Sequence, residues 1–326
     1  MPPSLFDPRY LQELCHRYGV TPSRHYGQHY LIEPAVIDRI IAVSQVGSDD
    51  TVVEIGPGFG TLTLALAGRV QHIVAFEIEK KVQPYWDELQ KKYPNIHLIW
   101  GNVLHTATNY PDGQFGIPRA RPGSRACLGT SYKVVANLPY QITSAIIRLF
   151  LELAHPPTSL TLMVQKEVGE RICAEPGKMS LLSVSVQYYG IPRYEFTVPR
   201  DNFWPAPQVD SAVIHLSLRG PTAIGPKSRD ATPGQSPRCT ENQGIATLPA
   251  VARDDQYMEQ FFRIVKAGFA NRRKLLLKNL ASMLPARSRA ALPGVFAQLG
   301  LPATARAQEL SVEQWQHLVD EISNQA

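Results

Sequence analysis

A chain of 326 residues, 44% of them hydrophobic, is that of a globular protein with room for one large domain and a small one. Its 33 Lys+Arg against 28 Asp+Glu give a net charge of +5, a lean toward anionic partners that is informative only where it is clustered. Cys15, Cys127, Cys173 and Cys239 form no CxxC pair and have no histidine at ligand spacing, and no apolar run could span a membrane. A disulfide framework, a metal site and a membrane protein are therefore not expected, and a reducing cytoplasm is.

The opening segment MPPSLFDPRYLQELCHRYGV mixes acids with bases and reads as a short helix, not a secretory signal, with Asp7 capping, Pro8 in the first turn and Gly19 ending it. Apolar runs then alternate with amphipathic stretches, the rhythm of a parallel sheet wrapped by helices. The predicted strands are TVVEIG, HIVAFEI, HLIWG, YKVVAN, SLTLMVQ, YEFTVP and DSAVIHL, with helices over Thr61–Ala67 and Lys80–Lys92. After Asn102 the aperiodic stretch PDGQFGIPRARPGSRACLGTS predicts a long surface loop over 104–131. Only RDNFWPAPQV separates the last two strands, which predicts an antiparallel pair closing the sheet edge. From Gly220 to about Gln256, proline, glycine, serine and charges without a period predict a flexible linker. Beyond it Phe262, Val265, Phe269, Leu276, Leu280 and Met283 recur at helical spacing, and two amphipathic segments near Arg287–Leu299 and Val312–Ile322 complete a small helical domain. The predicted division is 1–219, 220–256 and 257–326.

The stretch VVEIGPGFGTLTLALAG places a strand, a glycine turn at Gly56, Gly58 and Gly60, and a helix start in succession. Glycines suit a tight turn against which a ligand lies directly, and the amides at a following helix start favour an anionic group. A bare structural turn would use the same residues, but Glu77 closes the next strand, where an acid can grip ribose hydroxyls. The spacing differs from the dinucleotide GxGxxG form, and S-adenosyl-L-methionine is the ligand that combines adenosine, ribose and a carboxylate without a pyrophosphate.

A methyl donor would give Asn137-Leu138-Pro139-Tyr140, at the mouth of the fourth strand, a mechanism. The lone pair of a nucleobase amine is delocalised into the ring. An Asn oxygen and a nearby backbone carbonyl can accept its two N–H groups, draw the nitrogen toward a tetrahedral shape and aim it at the methyl. Pro139 would stiffen the turn and Tyr140 would stack on the base.

NLPY together with EIGPGFG, YGQHYL, MVQKEVGERI, NFWPAPQVDSAV and FANRRKLLLKNL, in that family's order over nearly the whole chain, resembles the bacterial KsgA/RsmA type of ribosomal RNA adenine dimethyltransferase. The resemblance implies an α/β fold: a Rossmann-like class I methyltransferase domain with a seven-stranded, mostly parallel sheet, and a small C-terminal all-helical domain. It implies two methyl groups on each N6 of two adjacent adenosines in the 3′-terminal hairpin loop of small-subunit rRNA, within a pre-30S particle. It further implies that Gln28, His29 and Leu31 close over the donor, that Gly56 and Gly58 pass beneath it, and that Glu77 holds its ribose. Asn137 would serve donor and substrate. Where the family carries an Asp after the third strand this chain has Asn102, whose carbonyl can accept the donor's adenine amine hydrogen without a charge. Phe203 matches an aromatic placed on the face of the flipped adenine opposite the tyrosine, although a core Phe in a proline-stiffened turn reads equally well from composition.

Arg263, Lys266, Arg272, Arg273, Lys274 and Lys278 crowd one stretch of the helical domain, and on a continuous helix Arg263, Lys274 and Lys278 share a sector away from the apolar face. A solvated face is the ordinary reading; beside a base-modifying site such a face is a candidate RNA phosphate track. Arg119, Arg121 and Arg125 form a second candidate. No spare apolar stripe demands a partner, so a monomer is expected. Three rivals stand beside the main reading. An Erm-like large-subunit dimethyltransferase shares NLPY, but LGLPATARAQELSVEQW resembles the KsgA-type ending. A non-catalytic ribosome-assembly factor on the same fold is disfavoured by intact Asn137, Tyr140 and glycines, and a nicotinamide dehydrogenase by the glycine spacing.

Overall fold

The computed structural model describes residues 4–22, 28–109, 131–219 and 255–324. Of the predicted loop over 104–131, residues 110–130 with their three arginines lie outside the described residues, while its first part is helical instead, in Val103–Thr106 and a 3-10 turn Ala107–Asn109 that the Asn102 cap starts. The predicted linker over 220–256 lies outside them as far as 254, and its last two residues open a helix. Two compact units result: Met1–Cys173 with Gly190–Leu218, and Ala174–Tyr189 with Arg219–Ala326. The segment 174–189, which the sequence division assigns to the first domain, thus clusters with the helical unit.

In the first unit, α1 (Pro8–Arg17) starts where the Asp7 carboxylate accepts the Arg9 amide at 2.9 Å and stops at Gly19, whose φ is +62°. After β1 (Tyr30–Leu31) comes α2 (Pro34–Ser44), a helix that strand-centred reading missed. Its start carries both expected signals, a capping carboxylate on Glu33 and proline in the first turn. The chain continues through β2 (Thr51–Ile55), α3 (Thr61–Ala67), β3 (His72–Glu77), α4 (Gln83–Lys92), β4 (Ile96–Trp100), α5 (Val103–Thr106), β5 (Tyr132–Asn137), α6 (Thr143–Glu152), β6 (Ser159–Gln165) and α7 (Lys166–Ile172). Helix α8 (Leu181–Tyr189) belongs to the second unit, and β7 (Gly190–Val198), β8 (Phe203–Trp204) and β9 (Ser211–Leu218) return to the first.

All seven predicted strands join one sheet in the order β4-β3-β2-β5-β6-β9-β7. The five strands from β4 to β6 run parallel, and β9 pairs antiparallel with both β6 and β7. Helices cover both faces, so β2 and β3 are buried along almost their whole length and read as unbroken apolar runs. The chain leaves β4 at one edge and re-enters on the far side of β2 as β5, which opens a crevice at the carboxyl ends of β2 and β5. A second ladder, too short to show a period, pairs Tyr30 with Trp204 and Leu31 with Phe203. It brings the segment after residue 27 to that crevice.

The second unit contains α8, α9 (Asp255–Gly268), α10 (Leu276–Ala281), α11 (Ala286–Gln298) and α12 (Val312–Asn324). Aromatic packing builds its core: the Tyr188 and Phe261 rings lie 4.4 Å apart, and Trp315 is fully buried beside Phe269. The continuous basic helix is not observed. The chain leaves helical geometry after Gly268, where the buried Asn279 amide donates to the carbonyls of Gly268 (2.6 Å) and Asn271 (3.0 Å) and so satisfies the end of α9. Arg272, Arg273 and Lys274 therefore sit in a turn, while Arg263 and Lys278 lie on separate helices, all exposed. No helix among the described residues is long and apolar enough to cross a membrane.

A Cβ added at Gly268 would run into the buried Trp315 indole and come within 2.9 Å of Leu276 Cδ1. Gly268→Ala should lower stability by about 1–3 kcal/mol through overpacking, read as a lower melting temperature; an unchanged melt would show that Trp315 can yield.

Candidate active site

A cavity of about 510 Å³ opens at the carboxyl ends of β2, β3, β4 and β5, lined among others by Gly56, Gly58, Glu77, Asn102 and Asn137. Its floor is the turn between β2 and α3. Gly56, Gly58 and Gly60 all have left-handed φ, +68°, +58° and +91°, a conformation that side chains with a Cβ resist. Glycine at position 58 also answers a close approach, since a Cβ there would meet Tyr30 Cε1 at 3.0 Å. The turn is fixed from α4, where the Trp86 indole N–H donates to Gly58 O at 2.9 Å and the Tyr85 hydroxyl donates to Phe59 O at 2.8 Å.

Glu77 ends β3 with 5% of its surface exposed. One carboxylate oxygen accepts the Gly58 amide at 3.1 Å and the other the Glu79 amide at 2.8 Å. Burial raises its pKa above the usual carboxylate range, against the pull of those amides. The two oxygens still have lone pairs for hydroxyl donors. Ile78, next in the chain, lines the cavity with an apolar side chain 62% exposed.

Asn102 lines the cavity as the N-cap of α5, its Oδ1 accepting the Leu104 amide at 3.0 Å. The carbonyl expected to receive a ligand amine thus already accepts one hydrogen bond and keeps a single lone pair for another, and the amide nitrogen is the group with no bond made. Asn137 has the opposite arrangement. It ends β5, and its Nδ2 donates to the His29 carbonyl at 3.3 Å, which leaves Oδ1 as an acceptor.

The remaining predicted residues divide into four groups. Gln28, His29, Leu31 and Pro139 line the cavity. Leu138 is buried and donates its amide to Met163 O at 3.0 Å, so it anchors the turn from below. Tyr140 is half-buried, with its hydroxyl 2.7 Å from Ser211 Oγ and its ring 6.0 Å from that of His29 at an interplanar angle of 26°. The structure does not bring Phe203 to the cavity: it is 3% exposed and packs in the core opposite Leu31. Trp204, which carries no role in the sequence reading, stacks on Tyr30 with centroids 6.2 Å apart.

Sequence reasoning missed Glu54. It lies inside the apolar run of β2, lines the cavity, and is 2% exposed with Oε2 lacking a hydrogen-bond partner. Burial pushes its pKa up to about 8, the nearby Thr63 hydroxyl pulling the other way and the Glu77 charge adding to the rise. A carboxyl in an otherwise apolar strand directly before a glycine turn was the available signal. Among the described residues, no three His, Cys, Asp or Glu side chains are grouped to hold a metal ion.

A doubly wound sheet with a glycine turn, a ribose-ready acid and an open crevice at its switch point defines a class I methyltransferase fold. A profile described as "Ribosomal RNA adenine dimethylase" matches residues 21–229. A relative from Dehalococcoides mccartyi, described as ribosomal RNA small subunit methyltransferase A, is 34% identical over 94% of this chain and 90% of its own. A solved dimethyladenosine transferase from Plasmodium falciparum is 19% identical with a TM-score of 0.66, covering 90% of this chain and 97% of that one. A solved 23S rRNA methyltransferase, ErmE, is 22% identical with a TM-score of 0.61, covering 90% and 99%. The chain belongs to the ribosomal RNA adenine dimethylase family.

Glu54 binds a proton in the folded protein up to about pH 8 but only to about 4.5 when free, so the folded state loses stability as pH rises across that window. Glu77 acts in the same direction. Glu54→Gln should therefore flatten, without abolishing, the fall in melting temperature between those pH values; an unaltered slope would show that Glu54 ionises freely in the fold.

Proposed function

We propose that this chain transfers methyl groups from S-adenosyl-L-methionine to the N6 amines of two adjacent adenosines in the 3′-terminal hairpin loop of small-subunit (16S) rRNA, as a monomer acting on a precursor 30S particle in the cytoplasm. The observation that carries the reading is the fixed amide of Asn137 at the cavity, its nitrogen committed to His29 O and its oxygen left to accept an amine hydrogen, in a chain of this family.

The cavity suits the cofactor. The glycine turn allows close backbone approach, Glu77 offers oxygens to ribose hydroxyls, Ile78 offers an apolar wall to a purine, and the partnerless oxygen of Glu54 suits an ammonium group. When bound, that cofactor supplies a methyl group activated on a positively charged sulfur. The chain's own residues prepare the amine. Asn137 Oδ1 accepts one N–H and turns the lone pair out of the ring plane, Pro139 holds the turn at φ −59°, and Tyr140 presents a ring face to the base. Positioning and fixed dipoles account for the acceleration: the N–CH3 bond would form as the S–CH3 bond breaks to leave a neutral thioether, and no general base is needed before attack because the nitrogen's proton becomes acidic only once it is alkylated and is then lost to water. Exposed Arg263, Arg272, Arg273, Lys274 and Lys278 would anchor RNA phosphates without specifying sequence.

Labelled methyl transfer to unmethylated small subunits, with large-subunit RNA in parallel, tests the reading. N6-dimethyladenosine in the small subunit alone is expected; label in the large-subunit RNA would transfer the assignment to an Erm-like activity, and cofactor binding without transfer would make the chain an assembly factor. Asn137→Ala should lower turnover by about 10²-fold or more while cofactor affinity is partly kept, and full activity would sink the mechanism. Asn102→Asp frees a carboxylate oxygen beside the capping one, so calorimetry should show cofactor affinity rising about 3- to 10-fold. An unchanged affinity would confine residue 102 to capping α5.

A further inference from the structure

A side chain that meets a substrate serves it only while its own rotamer is locked from behind by packing and hydrogen bonds. Tyr140 stands at the end of the Asn137–Tyr140 turn, and two constraints act on it. The first is local: the Ile142 amide donates to the Pro139 carbonyl at 3.3 Å and the Thr143 hydroxyl donates to the same oxygen at 3.2 Å, which closes the backbone around Tyr140. The second comes from far along the chain, at the other end of the ring, where the phenolic oxygen lies 2.7 Å from Ser211 Oγ.

We propose that Ser211 is a positioning residue for methyl transfer, fixing the ring of Tyr140 through its hydroxyl. The inference rests on the function proposed above. Ser211 is fully buried and opens β9, where it pairs with Gln165 of β6 on one side and with Val198 of β7 on the other. The residue before it is pinned as well: Asp210 accepts the Lys166 amide through its carbonyl and the Arg200 amide through its carboxylate, each at 3.0 Å. The anchor is therefore a fixed point of the sheet. A phenolic O–H lies in the plane of its ring by conjugation, so a bond to a fixed point restrains the plane of the ring as well as its reach, whichever oxygen donates. The same bond occupies the hydroxyl. Burial raises the Tyr140 pKa above the ordinary phenol value, the Ser211 bond pulls the other way, and the Asp210 charge adds to the rise, so the group stays neutral and serves as a handle on the ring.

A double-mutant cycle on Ser211→Ala and Tyr140→Phe tests this by steady-state methylation of unmethylated small subunits, with cofactor affinity and thermal melts measured alongside. Each variant removes the same bond from one end, and each should lower kcat about 3- to 10-fold, the range of one net hydrogen bond. Cofactor affinity, and the KM for the particle, set by phosphate contacts, should stay within about twofold. The double variant should be no slower than the slower single one, because the bond can be lost only once. A serine that merely supports the fold would lower the melting temperature, leave the kcat of the folded enzyme unchanged and show no coupling to position 140. Should Ser211→Ala not fold, Ser211→Cys, similar in shape but only a weak hydrogen-bonding group, takes its place in the cycle. Wild-type kcat in either single variant, or single effects that multiply in the double variant, overturns the assignment. These comparisons are made against an active wild type; failure of the wild type to methylate either RNA would instead remove the proposed function.

Discussion

Both polar backbone atoms of Gly58 are claimed by side chains from other elements: its N–H by the Glu77 carboxylate at the end of β3, its carbonyl by the Trp86 indole on α4. Tyr30, from the short β1 strand, closes against its α-carbon. Three separate parts of the first unit therefore converge on one residue with no side chain and a left-handed backbone. The cavity floor, the ribose acid and the segment that carries His29 all take their places from this junction. A side chain at position 58 would disturb all three at once, which is why the turn is built from glycine and its supports from large aromatic residues.

The parts of this arrangement that were legible in the sequence are those written in contiguous residues. β2, β3, β5 and β6 announce themselves because a parallel strand buried on both faces is an unbroken apolar run, and the glycine turn, Glu77 and Asn137 follow directly from strand ends. What escaped depends on atoms brought together from afar. Residues 174–189 join the helical unit through packing such as Tyr188 on Phe261, which linear order conceals. The break between α9 and α10 is made by the Asn279 amide reaching back to Gly268 and Asn271, a contact that a helical period cannot register. Phe203 was ambiguous for a related reason: an aromatic in a proline-rich turn can face a ligand or a core, and here a two-residue ladder opposite Leu31 decides for the core.

The cavity also shows how a binding site costs stability. Glu54 and Glu77 are both removed from water, and neither has a cationic partner among the salt bridges of the described residues. Two acids so placed weaken the fold as they ionise, and Glu54 in particular keeps an oxygen without a partner. Hydrophobic side chains of similar volume would pack better there. Their retention is intelligible if the missing hydrogen-bond donors arrive with a ligand, in which case binding and folding stability are linked through the same two carboxyls.

Asn137 and Asn102 carry identical side chains locked in opposite senses, one with its oxygen left over and the other with its nitrogen. For the proposed reaction the Asn137 arrangement amounts to a counter. An unmodified adenine amine has two hydrogens, the singly methylated amine one, and the dimethylated amine none. Asn137 Oδ1 can accept a hydrogen from either of the first two states, so it can hold the amine for the second transfer as for the first, while a backbone carbonyl taking the other hydrogen serves only the first. The third state has nothing left to donate, and the grip is lost when the last hydrogen is replaced. The extent of methylation is then fixed by the supply of N–H bonds on the substrate, and no steric barrier against a third methyl group is required.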